Sequence, residues 1–583
     1  MNPDISRRVE EWTRAPFDGE TIREIRDLVD SGDEKELTER FFQTLEFGTG
    51  GLRGILGAGT NRMNVYTVGM ATQGLANYIL RKGRQKEGVV IACDSRRMSD
   101  TFSREASRIL AGNGIQVYRF DDIMPTPLCS FAIRKLGAVS GIVITASHNP
   151  PEYNGFKAYW DDGGQVVPPY DREIIEEVKK IDSVASIKRA DYNEALGSGL
   201  IKIIGDDITG AYLTELEKAA LRKPGKSSLR IVYSPLHGTG YKILPRTLRH
   251  FGFEDLHLVK PQDTPDGNFP TVKYPNPEEK DAMALSLKLA GEVDADIIIA
   301  TDPDADRMGV GFRDGRGEYI LINGNQIGTM LEYYLLKRLS AEGKLPGNAA
   351  VIKTIVTTDL QEKIGRSFNC RVEDVLTGFK WIAMKMHQYD QNGESTFIFG
   401  GEESYGYLPV SFVRDKDAVS ACYFFVEMAD WLKAAGRSLY DFLQEIYCGY
   451  GLYLEDLHSL TLKGLEGMDR IKAIMEGFRI QPPASFSSIP VRRLDDIKNL
   501  QSHDLKSGST EKIQHIPSSD VLQFFLEDGS KITMRPSGTE PKIKFYFSVN
   551  EEVNPGDLGE KEKSARGKIE SLKQDLLKKI EAV

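Results

Sequence analysis

Three short apolar runs, each ending abruptly in a polar loop, constrain the fold of this chain more than any other feature. They are Ile142-Val-Ile-Thr-Ala-Ser147, Ile297-Ile-Ile-Ala-Thr-Asp302 and Thr396-Phe-Ile-Phe-Gly-Gly-Glu402. β-Branched and aromatic residues favour extended backbone, and a run without polar alternation belongs to a strand covered on both faces. With these three, the strand-like runs lie at 89–92, 138–145, 229–233, 295–300, 350–356 and 395–399. Helical periodicity separates them over 69–81, 102–112, 282–289 and 326–339. Strands alternating with helices predict α/β layers, and such sheets place their chemistry at strand ends. The recurrence predicts three similar α/β domains with mixed sheets, each offering one loop to a central cleft. From about residue 455 the pattern changes to Pro/Ser clusters, alternating strands and an amphipathic helix over 561–580, which predicts a smaller C-terminal α+β domain. Residues 5–46 read as helices leading into the glycine-rich stretch Phe47-Gly-Thr-Gly-Gly-Leu-Arg53-Gly.

Composition narrows the function. A chain of 583 residues exceeds one hydrophobic core and suits roughly three to five domains. A net charge of −10 argues against a broad nucleic-acid surface. The five cysteines are scattered without a CxxC pair, which suits a reducing compartment without structural zinc. The amino-terminal residues lack the apolar core of a signal peptide, and no apolar stretch approaches the ~18 residues that span a bilayer. A cytoplasmic protein is expected, with no membrane partner.

The loops carry the chemistry. Asp302-Pro-Asp304-Ala-Asp306-Arg307 sets three carboxylates at alternate positions after an apolar strand. Such a run can curl three oxygens around a hard cation, Mg²⁺ in the first place. An EF-hand is excluded because Arg307 and Arg313 stand where glycine and glutamate are required. Zinc is disfavoured without His or Cys ligands. Gly401-Glu402-Glu403-Ser404 joins carboxylate to hydroxyl, a set that bonds vicinal sugar hydroxyls. Arg414 and Lys416 are expected to add positive charge to the same rim. Arg535-Pro-Ser537-Gly538-Thr539 offers a guanidinium, two hydroxyls and inward N–H groups, a phosphate cradle. Ser147 beside His148 suggests a nucleophile next to a proton acceptor, with Arg53 and Lys157 as supporting cations. No hydrolytic triad is assignable, and the Gly-x-Ser-x-Gly elbow is absent. Gly225-Lys226-Ser227 fails the P-loop test because Ala220 replaces the first glycine. The possible dinucleotide fingerprint at Gly57 and Gly59 has Arg62 at its third glycine, so neither ATP nor NAD is indicated.

The set Thr145-Ala-Ser147-His148-Asn149-Pro150, Asp302-Pro-Asp304-Ala-Asp306-Arg307, Gly401-Glu402-Glu403-Ser404 and Arg535-Pro-Ser537-Gly538-Thr539 resembles the α-D-phosphohexomutase superfamily, with all four motifs in that family's order. The resemblance covers nearly the whole chain. It implies a phosphoserine domain over 1–205, a metal-binding domain over 206–320, a sugar-binding domain over 321–455 and a phosphate-binding domain over 456–583. It implies phosphoserine at Ser147, Mg²⁺ held by Ser147, Asp302, Asp304 and Asp306, and an acid/base role for Lys157. Arg53, His148 and Arg307 would stabilise the transferring phosphoryl. Glu402 and Ser404 would read sugar hydroxyls, and Arg535, Ser537, Gly538 and Thr539 would grip the distal phosphate. The expected reaction interconverts α-D-glucose 1-phosphate and glucose 6-phosphate, with glucose 1,6-bisphosphate as intermediate and primer. The doubled acid Glu402-Glu403 is similar to the glucose branch. The glycine-rich opening and the long chain look like the branch that includes phosphopentomutases and glucose-1,6-bisphosphate synthases. A pentose-phosphate mutase, a bisphosphate synthase and a non-catalytic sugar-phosphate binder are the alternatives.

Overall fold

The computed structural model describes residues 2–45, 51–222, 225–462, 464–537, 542–554 and 556–582. The chain divides into two compact units. The first comprises Met1–Ile322, Ala383–Asn392 and Tyr405–Trp431; the second comprises Asn323–Ile382, Gly393–Ser404 and Leu432–Val583.

In the first unit, the strands Val89–Cys93, Val117–Phe120, Ser140–Ile144 and Ile201–Ile204 run parallel. Tyr153–Trp160 adds to Ser140–Ile144 antiparallel, and Gly51–Ile55 closes that edge. Val89–Cys93 and Ser140–Ile144 are buried at every position, as their unbroken apolar character requires. A second sheet has the order Tyr319–Ile322, Met308–Arg313, Ile297–Thr301, Ile231–Ser234, Leu256–Leu258. Ile297–Thr301 is parallel to Ile231–Ser234 and antiparallel to Met308–Arg313. Both sheets are therefore mixed, and each has one strand that runs into a candidate loop.

Two of the long helices begin where a side chain satisfies their first N–H groups. Val65–Arg81 starts four residues before its apolar periodicity indicates, because Asn64 and Thr67 form a reciprocal capping box. Gly324–Ala341 begins likewise at Asn323 and Gln326. At the amino terminus, Pro3–Glu11, Gly19–Ser31 and Glu34–Phe41 gather around Trp12. Its ring stacks on Phe17 at 4.3 Å and meets Phe41 and Tyr66 edge-on.

The second unit contains the parallel strands Arg371–Val375, Ala349–Thr354 and Thr396–Gly401. It also holds an eight-stranded sheet, in which Leu452–Thr461 pairs with Lys542–Glu551 and the order continues through Lys531–Pro536, Leu522–Leu526 and Ile489–Asp496. The helix Leu558–Ala582 buries Ala565, Ile569, Leu572, Leu576 and Ile580, one apolar stripe at three- and four-residue spacing. The expected architecture, three α/β layers followed by a β-rich α+β part, is present. Among the described residues no helix is long and apolar enough to cross a membrane.

Candidate active site

Ser147 lies three residues beyond the strand Ser140–Ile144, where Pro150 and Pro151 prevent a helix. Its backbone is in the left-handed region at φ 52°, which costs an L-residue roughly 1–2 kcal/mol. The surroundings enforce it. Ser147 N–H donates to Thr145 Oγ1 at 2.8 Å. Arg96, 3% exposed, reaches under the loop: its guanidinium donates to the carbonyls of Ser147 at 2.6 Å, Pro150 at 2.8 Å and Tyr153 at 3.1 Å, and to that of Asn149. Asp94 balances its charge at 3.3 Å, and the ring of Phe269 lies against it.

The acidic loop connects Ile297–Thr301 to Met308–Arg313. Asp302 Oδ1 accepts the N–H groups of Asp306 and Arg307 at 3.1 and 3.0 Å, which curls the loop. Its Oδ2 accepts the Ser147 hydroxyl at 2.8 Å. Ser147 Oγ also lies 3.2 Å from His148 Nδ1. On the other flank, Lys157 Nζ donates to Asp304 Oδ2 at 2.7 Å and Asp306 Oδ2 at 3.1 Å, and Lys416 Nζ pairs with Asp306 Oδ2 at 3.1 Å. Thr126 donates its hydroxyl to Asp304 Oδ2 at 2.8 Å and its N–H to the Asp304 carbonyl at 2.9 Å. Arg307 lies 4.0 Å from Asp306 Oδ1 and 3.9 Å from Glu278. Arg53 extends from the edge strand to Asn149 Oδ1 at 3.4 Å.

These surroundings set the charges. Burial, reinforced by Asp304 and Asp306, pushes the Asp302 carboxyl well above the usual carboxylate range. Burial would raise Asp306 too, but Lys157, Lys416 and Arg307 hold it well below. Burial works against the Lys157 ammonium and is overcome by Asp304 and Asp306, so its affinity for the proton rises. Burial and the guanidiniums of Arg307 and Arg53 push His148 well below its ordinary value, so the imidazole is neutral.

The donor set fits a hard cation. One carboxylate oxygen from each of Asp302, Asp304 and Asp306 lies within 4.8 Å of the others. Among the described residues, Asp304 Oδ1 and Asp306 Oδ1 are buried without a hydrogen-bond partner. Buried carboxylate oxygens left unpaired are costly, and a cation that prefers oxygen relieves that cost.

In the second unit, Glu402 is 6% exposed and accepts the Gly378 N–H at 2.9 Å. Ser404 follows it, half-buried. Burial and the Glu402 charge push the neighbouring Glu403 up to about 7, against the opposing pull of Lys544 and Arg535. The Glu402 loop and the Arg535 strand are thus neighbours within this unit. Arg535 sits opposite Lys544 in the register, and Ser537 N–H donates to the Lys542 carbonyl at 2.7 Å. Gly538 and Thr539 lie outside the described residues.

Arg414 departs from the expected rim of positive charge. It is 2% exposed, and its guanidinium is held by Asp390 and by the carbonyls of Ser411 and Val413. Its neighbour Lys416 is the cation that reaches the acidic loop. Arg96 and Thr126 were missed by the sequence reading. Asp94-x-Arg96 directly after an apolar strand was the available signal for the first; Thr126, remote in sequence from Asp304, had none.

Known proteins resemble this chain throughout. Family models described as phosphoglucomutase/phosphomannomutase α/β/α domains I, II and III match residues 44–185, 210–315 and 323–450. A phosphoglucomutase of Staphylococcus saprophyticus is 36% identical over 528 residues, 91% of this chain and 94% of its own length. One from Staphylococcus aureus is 37% identical over 531 residues, 90% of this chain and 93% of its own. In fold, the chain is similar to a phosphoglucomutase/phosphomannomutase family protein of Burkholderia thailandensis, with a TM-score of 0.63 and 18% identity over 92% of this chain and 97% of that one.

Proposed function

Since this chain belongs to the phosphoglucomutase/phosphomannomutase family, we propose that it interconverts α-D-glucose 1-phosphate and glucose 6-phosphate through a phosphoserine at Ser147 and a glucose 1,6-bisphosphate intermediate. The Ser147 hydroxyl, 2.8 Å from Asp302 and facing a buried set of three aspartates flanked by Lys157 and Lys416, is the observation that carries this reading.

In the first half-reaction the P–O bond to Ser147 Oγ breaks as the free hydroxyl of the sugar phosphate bonds to phosphorus, and the proton that this hydroxyl loses ends on Ser147 Oγ. In the second, Ser147 Oγ attacks the other phosphate of the bisphosphate, and the sugar oxygen leaves and takes up a proton. Lys157 is suited to hold that proton, because its carboxylate neighbours keep it an ammonium. His148 stays neutral, so it bonds Ser147 Oγ without adding charge. Asp302 orients the serine hydroxyl. Asp302, Asp304, Asp306 and the serine oxygen would hold Mg²⁺, which when bound offsets charge on the transferring group. Arg53 and Arg307 would bond its peripheral oxygens. Glu402 and Ser404 would bond sugar hydroxyls, and Arg535, Ser537, Gly538 and Thr539 the phosphate that stays. A trace of bisphosphate should be required, because an unphosphorylated Ser147 has no phosphoryl to give.

The test is kcat/KM for α-glucose 1-phosphate and ribose 1-phosphate side by side, with Mg²⁺ and a trace of the matching bisphosphate. A strong preference for the glucose ester is expected; a preference for the ribose ester would move the activity to pentose phosphates. Ser147→Ala should abolish turnover while sugar-phosphate binding persists. Substantial turnover in that variant would overturn the phosphoserine assignment.

A further inference from the structure

A cavity of about 640 Å³ opens in the first unit among residues that the proposed reaction does not use. One wall is a face of the helix Ser99–Gly112, on which Thr101, Arg104, Glu105 and Arg108 align at three- and four-residue spacing. Val184 and Ala185 with Arg189 and Tyr192 also line the cavity, as do Pro16, Val65 and Tyr66 beside the amino-terminal aromatic cluster.

Its charge is unbalanced. Glu105 is 7% exposed and holds two guanidiniums, Arg189 at 2.5 Å and Arg108 at 3.0 Å. Asp100 holds two more, Arg104 at 3.0 Å and Arg119. Three guanidiniums and one carboxylate line the cavity itself, with Asp100 behind Arg104 and Asp18 bonded to the Tyr66 hydroxyl, so the lining carries an excess of positive charge in a chain whose net charge is −10. The pairing also leaves donors over. Among the described residues, Arg104 bonds through Nε alone, and neither Arg108 nor Arg189 uses Nη2. Arg104 is further held with its guanidinium 5.3 Å from the ring centre of Tyr192.

Planar guanidiniums with unused N–H pairs suit phosphate oxygens, and the volume suits a small organic ligand. The remainder of the lining decides what that ligand carries besides phosphate. A ligand whose whole non-phosphate part is a sugar needs several acceptors, and the only carboxylate in the lining, Glu105, is already occupied by two arginines. The other walls are Pro16, Val65, Val184 and Ala185, with the rings of Tyr66 and Tyr192, which suit an apolar or aromatic group. We propose that this cavity binds an organic phosphate with an aromatic or apolar end, of the nucleotide class, at a site separate from Ser147.

ADP serves as the probe, titrated by calorimetry into the full chain with glucose 1,6-bisphosphate present to occupy the sugar-phosphate site. Saturable binding is expected, weakened about tenfold or more in Arg104→Gln/Arg108→Gln, because each charge-assisted hydrogen bond lost is worth about that factor. Mutase activity without ADP should be unchanged in that variant. Inorganic pyrophosphate should bind about tenfold more weakly than ADP, since it leaves the apolar walls uncovered. Absence of saturable ADP binding, or equal binding by parent and variant, would overturn the site. Equal affinity for pyrophosphate would overturn the aromatic half of the ligand. Val184→Ser, which alters the apolar wall and adds no charge, keeps the question open to refutation if the arginine variant fails to fold; it should weaken ADP more than pyrophosphate.

Discussion

Arg96 is bonded to backbone around the nucleophile: the carbonyls of Ser147, Asn149, Pro150 and Tyr153 all accept from its guanidinium. Arg96→Ala would leave the Asp94 carboxylate buried without its cation, and breaking a buried pair costs about 3–5 kcal/mol. A urea melt should show a loss of that size. Arg96→Lys restores charge without the planar fork, so it should recover part of the stability but little of kcat. Parent-like kcat in the lysine variant would mean that the loop needs only a positive charge. Glu332 poses the opposite case. It is 0% exposed, neither carboxylate oxygen has a hydrogen-bond partner among the described residues, and burial pushes its pKa well above the ordinary value despite the nearby Lys353. The folded protein therefore binds a proton that the unfolded chain has released above its ordinary pKa of 4.5. Stability contributed here falls as pH rises from that value towards the raised one. Glu332→Met should stabilise by about 1–3 kcal/mol, more at pH 8 than at pH 5, read by denaturant midpoints at the two pH values. An equal gain at both would mean that the carboxyl is not protonated in the fold.

Loops at strand ends work only if their neighbours let them approach. Gly238 shows this, since a Cβ there would lie 2.4 Å from Pro303 Cα and 2.6 Å from its carbonyl oxygen. Thr239 N–H donates to that same carbonyl at 2.8 Å. Gly238→Ala must displace the acidic loop, and a misplacement near 1 Å costs on the order of 10²-fold in rate. A kcat loss of that order is expected with the fold retained by circular dichroism; parent-like kcat would show that the loop yields without consequence. Element boundaries tell a related story. The core of Val65–Arg81 was legible from its periodicity, but its start belongs to Asn64, whose side chain accepts the N–H groups of Tyr66 and Thr67. A capping residue carries no hydrophobic signal, so a reading based on apolar spacing begins the helix too late. The strands suffered less, because Ile142-Val-Ile is apolar to the last residue of its strand and Ile297-Ile-Ile-Ala to the last but one.

At the scale of the whole chain, cation binding should couple to stability. If Mg²⁺ binds the folded acidic loop and not the unfolded chain, a concentration 100 times its Kd adds about 2.7 kcal/mol. The melting temperature should rise with Mg²⁺ and fall with a chelator. Asp304→Asn should abolish the shift, and hydrogen exchange should slow around 297–313. An unchanged shift in Asp304→Asn would place the ion elsewhere. By itself the sequence determined the α/β class, the strands and the loops with candidate chemistry, because those signals are local: β-branched runs, helical spacing, and clusters of like side chains within a few residues. Only the tertiary structure decided which distant groups meet. Lys157 and Lys416 share Asp306, Thr126 reaches Asp304, and Arg96 lies beneath Ser147. It also decided that Arg414, two positions from Lys416, bonds Asp390 and backbone carbonyls instead. Composition can show that a loop is charged. The partner of each charge depends on how the chain packs around it, since a buried ion is stable only where an opposite charge or aligned hydrogen bonds replace its lost water.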